Sequence, residues 1–321
     1  MRVAVLDDWQ NIAEASADWS ALRARAEVVF FRQPFASEDE AAAQLQDFDI
    51  LMPMRERTAF PESLIARLPK LKFFAMTGKR AGTINFAALA RRDVVISYSL
   101  DGGHGEATAE LALGLMLAAA RAIPAADAMI RAGGFQAGVP TGFQLAGKTI
   151  GLIGLGRLGC RMARYAAALD MDVLGWSPNL TAERATAAGT RFVPRDELLT
   201  QADIVSLHMV LSPTTRGMIG ARELGLMKTG AILVNTSRAS LVDETALITE
   251  LRNRRLIAAL DVFEREPLPA DHPLRHVPNT VLTPHLGYGA IEAFRSFYRQ
   301  GIENVLAFLD GAPIRRLLLD A

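Results

Sequence analysis

Short apolar runs alternate with alanine-rich stretches along the chain, and the alternation predicts repeating strand–helix units. In the first third, runs rich in β-branched and aromatic residues predict strands over 3–6, 28–31, 50–52, 73–76 and 94–97. Apolar positions at helical spacing predict helices over 15–25, 38–45, 62–66 and 86–91. Ser37 ahead of Glu38, Asp39 and Glu40 marks a helix start, because its side-chain oxygen can accept from an otherwise unpaired backbone N–H. The middle repeats the rhythm, with strands over 149–153, 173–176, 204–207, 232–235, 257–260 and 281–283. Helices are expected over 158–169, 182–187, 221–227, 244–252 and 290–308, and a long one over 101–121. The glycine-rich stretch 131–142 reads as a surface loop or arm. The strands are continuous apolar runs without clean alternation, which points to parallel sheets buried on both faces. The pattern is that of an α/β protein built from two doubly wound units.

Length agrees, since 321 residues are many for a single core. Half the residues are hydrophobic, as a large packed interior requires. Thirty-five basic residues balance thirty-five acidic ones, which removes the electrostatic case for nucleic acid or an anionic membrane as partner. The apolar segment 111–120 is too short to span a bilayer, and Asp7-Asp8 after the first apolar run is unlike a signal peptide. Cys160 is the only cysteine, so no intrachain disulfide forms, and a cytoplasmic location is expected. No metal site is expected.

The segment GLIGLGRLG holds Gly154-x-Gly156-x-x-Gly159 between a predicted strand and a predicted helix. In such a turn the first glycine permits tight torsions, the second lets the backbone approach a pyrophosphate, and the third lets helix and strand pack closely. The phosphates then meet free N–H groups at the positive end of the helix dipole. The competing reading is a tight strand-to-helix turn without a ligand. The next strand ends at Ser177, with no carboxylate at its tip. A carboxylate there would repel the extra phosphate of NADP. Ser177, Asn179, Thr181 and Arg184 can donate to one, although no arginine directly follows Ser177. Between NAD and NADP, the sequence leans to NADP.

Ligands of open α/β sheets bind outside the carboxyl ends of the strands. The strand ends beyond the glycine loop read His208-Met209-Val210, Asn235-Thr236-Ser237-Arg238, Asp261 to Pro267, and Thr283-Pro284-His285-Leu286-Gly287. Separately, Arg238 can be a surface ion-pair partner, Glu266 a turn cap and His285 a structural strand-end residue. Their joint placement is what points to chemistry.

In this order, GLGRLG, NTSRASLVDE, ALDVFEREPL and TPHLG resemble the D-isomer-specific 2-hydroxyacid dehydrogenases from about Thr77 to the last helix. The resemblance implies a Rossmann coenzyme domain over 101–286 and a flavodoxin-like substrate domain over 1–100 and 287–321. It also implies a cleft active site, a homodimer, and a small 2-oxo or 2-hydroxy acid as substrate. Carried over by motif, Arg238 is the substrate arginine, Glu266 the acid and His285 the proton donor. A guanidinium binds carboxylate and carbonyl oxygens in a fixed fork. An imidazole suits protonation of the alkoxide that hydride attack leaves. A carboxylate beside an imidazole supports its protonated form and orients the ring.

The coenzyme contacts implied are Gly154, Gly156, Arg157, Leu158, Gly159 and Ser177, with His208 near the adenosine. Thr108, Thr236, Ser237, Asp261 and Gly287 complete the set, Asp261 facing the nicotinamide carboxamide. The stretch Thr77 to Asn85 resembles the family's glycine loop, whose backbone N–H groups hold the substrate carboxylate. It makes Gly78, Lys79 and Arg80 substrate contacts, and Tyr288 lines the same pocket. Arg80 departs from the family pattern, where a second glycine is common, and Asn85 stands where an aspartate is usual. His104, His272 and His276 are read as loop residues with surface roles. Two other functions remain open: a dinucleotide-binding scaffold, as in the related co-repressors, and formate oxidation. The formate-oxidising subgroup carries glutamine at the place of Glu266.

Overall fold

The computed structural model describes residues 1–79, 81–102 and 106–318. The chain divides into two compact units, Met1–His104 with Gly289–Ala321, and Gly105–Tyr288.

In the first unit β1 (Arg2–Val5), β2 (Glu27–Phe30), β3 (Ile50–Met52), β4 (Phe73–Thr77) and β5 (Val95–Ser99) pair in parallel. Their order is β2-β1-β3-β4-β5. The order reverses between β1 and β3, so the binding crevice of this unit is expected at the carboxyl ends of those strands. One face of the sheet buries Ala4, Leu51, Phe74 and Ile96 against the apolar sides of helices Glu38–Leu45, Glu62–Ala66 and Phe86–Arg91. On the other face lies Ile291–Leu309, where Phe308 stacks on Phe73 with ring centroids 4.5 Å apart. The Ser37 hydroxyl accepts from Glu40 N at 3.1 Å, the cap expected from sequence.

The helix expected over 15–25 is two short ones, Ala13–Ser16 and Ser20–Arg23. Trp19 is the cause: it is 3% exposed, donates its indole N–H to the Ala13 carbonyl at 3.0 Å and meets Phe30 edge-on at 5.0 Å. Burying that ring forces Ala17 into extended backbone. Asp18 then accepts from Ser20 N at 2.9 Å and starts the second piece.

The second unit carries β6 (Thr149–Ile153), β7 (Asp172–Trp176), β8 (Arg191–Phe192), β9 (Ile204–Leu207), β10 (Ile232–Asn235), β11 (Ile257–Leu260) and β12 (Thr280–Leu282). These seven strands pair in parallel in the order β12-β11-β10-β9-β6-β7-β8. Alternate residues serve two separate cores. Ile150, Ile204, Ile232 and Ala259 face one cluster, while Ile153, Val205, Leu233 and Leu260 face the other. Burial on both sides is why these strands read as unbroken apolar runs. The helix expected over 101–121 is observed as Glu106–Ala120; Asp101 and Gly102 are not helical, and residues 103–105 lie outside the described residues. Two helices without sequence expectation are Ile123–Arg131, which buries no residue, and Arg195–Gln201, a polar segment anchored by Leu198 and Leu199.

Candidate active site

The glycine loop joins β6 to the helix Arg157–Ala168, whose cap, Gly156, makes no side-chain hydrogen bond. Gly154 has φ +101°, and a Cβ there would lie 2.7 Å from the His208 carbonyl. A Cβ on Gly159 would run into the carbonyl oxygen of Gly154. Both glycines are therefore required by close approach. Gly156 is exposed with open space beside it. The first-turn N–H groups behind Gly156 form a seat for a phosphate. Arg157 is exposed, whereas Leu158 packs on the core and brings only its backbone to the loop.

At the tip of β7, Ser177 is partly exposed and its carbonyl accepts from Leu180 N at 3.1 Å. The Arg184 guanidinium folds back to the Asn179 carbonyl at 3.0 Å, and the Thr181 hydroxyl caps the next helix by accepting from Arg184 N at 3.3 Å. Of the four donors named from sequence, Ser177 and Arg184 thus flank one exposed turn, while Thr181 is committed to its cap.

His208, at the end of β9, places its ring Nε2 2.9 Å from the Ser206 hydroxyl. Burial holds its pKa down to about 4, so the ring is neutral at physiological pH. Its contribution to the loop is the carbonyl packed against Gly154. After β10, Thr236 is buried, Ser237 donates its hydroxyl to the Met209 carbonyl at 2.5 Å, and Arg238 donates Nη1 to the Ser237 carbonyl at 2.7 Å.

Beyond β11 and β12 the structure pairs the two remaining residues. His285 Nδ1 lies 2.6 Å from Glu266 Oε2, and Glu266 Oε1 accepts from Phe263 N at 2.9 Å. Glu266 is held at one oxygen and holds the ring with the other, leaving Nε2 as the imidazole nitrogen for a substrate. His285 has φ +53°, a left-handed conformation that an unbranched side chain seldom adopts without support.

That support comes from Asp261. The residue expected to face a nicotinamide carboxamide is fully buried. Its Oδ1 accepts from the Thr283 hydroxyl at 2.6 Å and Leu286 N at 2.7 Å, and its Oδ2 from Gly287 N at 2.8 Å. Burial pushes its carboxyl pKa up, against the opposing pull of the Thr283 and backbone hydrogen bonds and the His285 charge. Thr108 closes the bracket by donating its hydroxyl to the Gly287 carbonyl at 2.8 Å. Asp261, Thr108 and Gly287 form the frame of the His285 loop. Tyr288 follows, nearly buried, with its ring edge-on to His285 at 6.0 Å.

In the first unit, Gly78 has φ +81° and its N–H donates to the Ser99 carbonyl at 2.7 Å. That N–H is engaged in extending the sheet, so it is not among the loop N–H groups open to a carboxylate. The space at Gly78 belongs instead to Arg55, whose Nη1 lies 2.5 Å from where a Cβ would be. Arg55 has φ +57° and donates its backbone N–H to the Thr77 hydroxyl at 2.6 Å. Nothing in the local pattern singled out Arg55; its position just past the carboxyl end of β3, beside the reversal in strand order, is the signal that could have. Lys79 is exposed, with Nζ 4.6 Å from the centre of the Tyr98 ring. Arg80 and His104 lie outside the described residues. His272, expected at the surface, is partly buried: its Nδ1 accepts from Leu274 N at 3.3 Å and its Nε2 meets Glu244 at 3.1 Å. Among the described residues no group of three His, Cys, Asp or Glu could hold a metal ion.

The second unit is thus a dinucleotide-binding α/β domain with an arginine and a histidine–carboxylate pair at neighbouring strand ends. Residues 113–287 match the family model of the D-isomer specific 2-hydroxyacid dehydrogenase, NAD binding domain. The D-3-phosphoglycerate dehydrogenase of Archaeoglobus fulgidus is 35% identical over 280 residues, 87% of this chain and 53% of that protein. The glyoxylate reductase of Aeropyrum pernix is 36% identical over 77% of this chain and 76% of its own length. A phosphoglycerate oxidoreductase from Vibrio cholerae O395 superimposes with a TM-score of 0.92 at 34% identity, covering 97% of this chain and all of that one. The chain belongs to the D-isomer-specific 2-hydroxyacid dehydrogenase family. It spans about half the length of the curated phosphoglycerate dehydrogenases it matches.

Proposed function

We propose that the protein is an NAD(P)-dependent D-2-hydroxyacid dehydrogenase interconverting a small 2-oxo acid and its D-2-hydroxy acid. The observation that carries this reading is the His285–Glu266 contact of 2.6 Å at the sheet edge that also bears the glycine loop and Arg238. When bound, the reduced dinucleotide supplies the hydride for the substrate carbonyl carbon. The helix behind Gly156 holds its pyrophosphate, and the neutral His208 adds no charge there. Arg238 binds the substrate's carboxylate and carbonyl oxygens. His285 gives the Nε2 proton to the oxygen that becomes an alkoxide, and Glu266 offsets the ring's charge before transfer. In the oxidative direction the neutral ring takes that proton back.

Tyr288, edge-on to His285, is the candidate in the second unit for choosing the substrate side chain. The relatives are named for both phosphoglycerate and glyoxylate, so the reading covers the class and not one acid. The exposed turn carrying Ser177 and Arg184, without a carboxylate at the tip, favours NADP over NAD.

A homodimer is part of the same reading. Residues 121–144 contain no buried residue, and Ile123, Ile130 and Phe135 are each more than half exposed. A helix of nine residues does not persist on propensity alone. An arm of this length is close to the roughly 20–30 residues that a stable interface takes from each side. A second copy is the occupant proposed. Among the described residues no single helix is long and apolar enough to cross a membrane. The cytoplasm is the compartment that suits the unbridged Cys160.

The test is a panel of 2-oxo acids, including glyoxylate, hydroxypyruvate and phenylpyruvate, assayed with NADH and with NADPH. Turnover of at least one, abolished by His285→Ala, is the expected result. No turnover across the panel with either dinucleotide overturns the reading in favour of a binding scaffold. Sedimentation of the wild-type protein and of Ile130→Asp tests the dimer, which the substitution should dissociate.

A further inference from the structure

Arg238 has a neighbour that no motif role accounts for. Asn235 ends β10 with 1% of its surface exposed, and its side chain spans the Arg238 turn from beneath. Its Oδ1 accepts from Ser237 N at 3.0 Å, and its Nδ2 donates to the Arg238 carbonyl at 3.0 Å. The two bonds fix the peptide ahead of Ser237 and the one after Arg238, which begins the short turn Ala239–Leu241 in extended backbone. The turn is tied outward as well. The Ser237 hydroxyl is bonded to the Met209 carbonyl, and Met209 N approaches the Cβ position of Gly154 to 3.1 Å. A short run of contacts therefore connects the glycine loop, the strand end after β9 and the arginine turn.

We infer that Asn235 is a positioning residue: its carboxamide sets where the Arg238 guanidinium meets the substrate. This rests on the reading of Arg238 as the substrate arginine. An amide is the side chain of this size that both donates and accepts, and here each function meets a different backbone group. Aspartate keeps an acceptor for Ser237 N but sets a carboxylate oxygen against the Arg238 carbonyl. Alanine leaves a buried donor and a buried acceptor unpaired. Displacement of a binding group by about 1 Å can cost on the order of a hundredfold in rate.

The experiment is a double-mutant cycle with Asn235→Asp, Arg238→Ala and the pair, read as kcat and KM for the best substrate of the panel. Thermal melting and fluorescence titration of reduced dinucleotide are measured on each protein. Asn235→Asp should lower kcat/KM by about 10- to 100-fold, mainly through KM, with dinucleotide affinity close to wild type. On the Arg238→Ala background the same change should cost little further, because its target is gone. Equal losses on both backgrounds, or a fall in melting temperature with unchanged kinetics, would make Asn235 a structural residue only and overturn the inference. Asn235→Ala with the same readouts stands in if the aspartate variant does not fold. An Arg238→Ala protein with wild-type KM refutes the assignment of Arg238 itself. An effect of Arg238→Ala without one of Asn235→Asp refutes the positioning role alone.

Discussion

Replacing Glu266 by glutamine isolates the contact on which the proposed chemistry depends. The side chain keeps its length, and its carbonyl oxygen can still accept from Phe263 N, now 2.9 Å from Glu266 Oε1. The amide NH2 is then directed at His285 Nδ1, where a carboxylate oxygen stood at 2.6 Å. The ring loses its counter-charge and must accept at Nδ1. It can still place a proton on Nε2, but the imidazolium form has no anion to stabilise it. A hydrogen bond to a charged group contributes about 1.5–3 kcal/mol. The two side chains are 24% and 33% exposed, so solvent screens part of that and the lower range applies, about 1.5–2.5 kcal/mol. At about 1.4 kcal/mol per factor of ten, kcat for reduction should fall about 10- to 70-fold. The assay is the loss of reduced-dinucleotide absorbance at saturating 2-oxo acid, with dinucleotide affinity measured separately by fluorescence. The affinity should not move, because Glu266 lies away from the glycine loop in sequence and in hydrogen bonding. A correctly folded Glu266→Gln protein with kcat within roughly threefold of wild type would refute the argument. So would a loss confined to dinucleotide binding.

Other expectations follow from the same loops. A Cβ on Gly159 has no room against the Gly154 carbonyl, and overpacking of this kind costs about 1–3 kcal/mol. Gly159→Ala should therefore weaken dinucleotide binding roughly tenfold or more in a fluorescence titration, and unchanged affinity would contradict the close-approach argument. Burial lowers the His208 pKa from 6.5 to about 4, so between those values the unfolded chain takes up a proton that the folded one refuses. Stability contributed by the neutral ring is complete above pH 6.5 and lost as pH falls towards about 4. The full shift is worth up to about 3 kcal/mol, and partial exposure reduces it. Urea melts at neutral and acid pH should show a smaller decline for His208→Gln than for wild type; parallel declines would sink the idea. Asp261→Ala removes the acceptor of three donors in the His285 loop and should cost about 2–4 kcal/mol in the same melts, with kcat falling alongside. A stable but inactive Asp261→Ala protein would mean that Asp261 does not hold the loop.

Much of the fold was legible because burial writes itself into sequence twice. Ile204–Leu207, Ile232–Asn235 and Ile257–Leu260 coincide with the expected strands, since every apolar position in them faces one core or the other. The segments that were missed lack that imprint. Arg195–Gln201 is mostly polar, and Ile123–Arg131 touches no core, so its apolar positions carried no sign of what they pack on. The 15–25 segment has helical periodicity throughout. It breaks because the Trp19 ring gains more from the core than an unbroken helix would, a choice decided by Phe30 and Tyr298, both remote in sequence.

The site divides along a related line. The residues proposed to carry chemistry stand at strand ends, which could be read, and the structure brings Glu266 and His285 together there. Residues that hold the chemistry in place could not be read the same way. The bond from Leu286 N to Asp261 closes 25 positions, and Arg55 reaches Gly78 from a different strand. Nor does any local pattern state that the Gly78 N–H is already engaged by Ser99. These assignments follow from which backbone donors lack partners once the sheets have formed. Asp261 illustrates the consequence. A carboxylate at a strand end is an equally good hydrogen-bond acceptor for a ligand amide or for backbone N–H groups. The left-handed conformation of His285 turns two neighbouring N–H groups, those of Leu286 and Gly287, towards it.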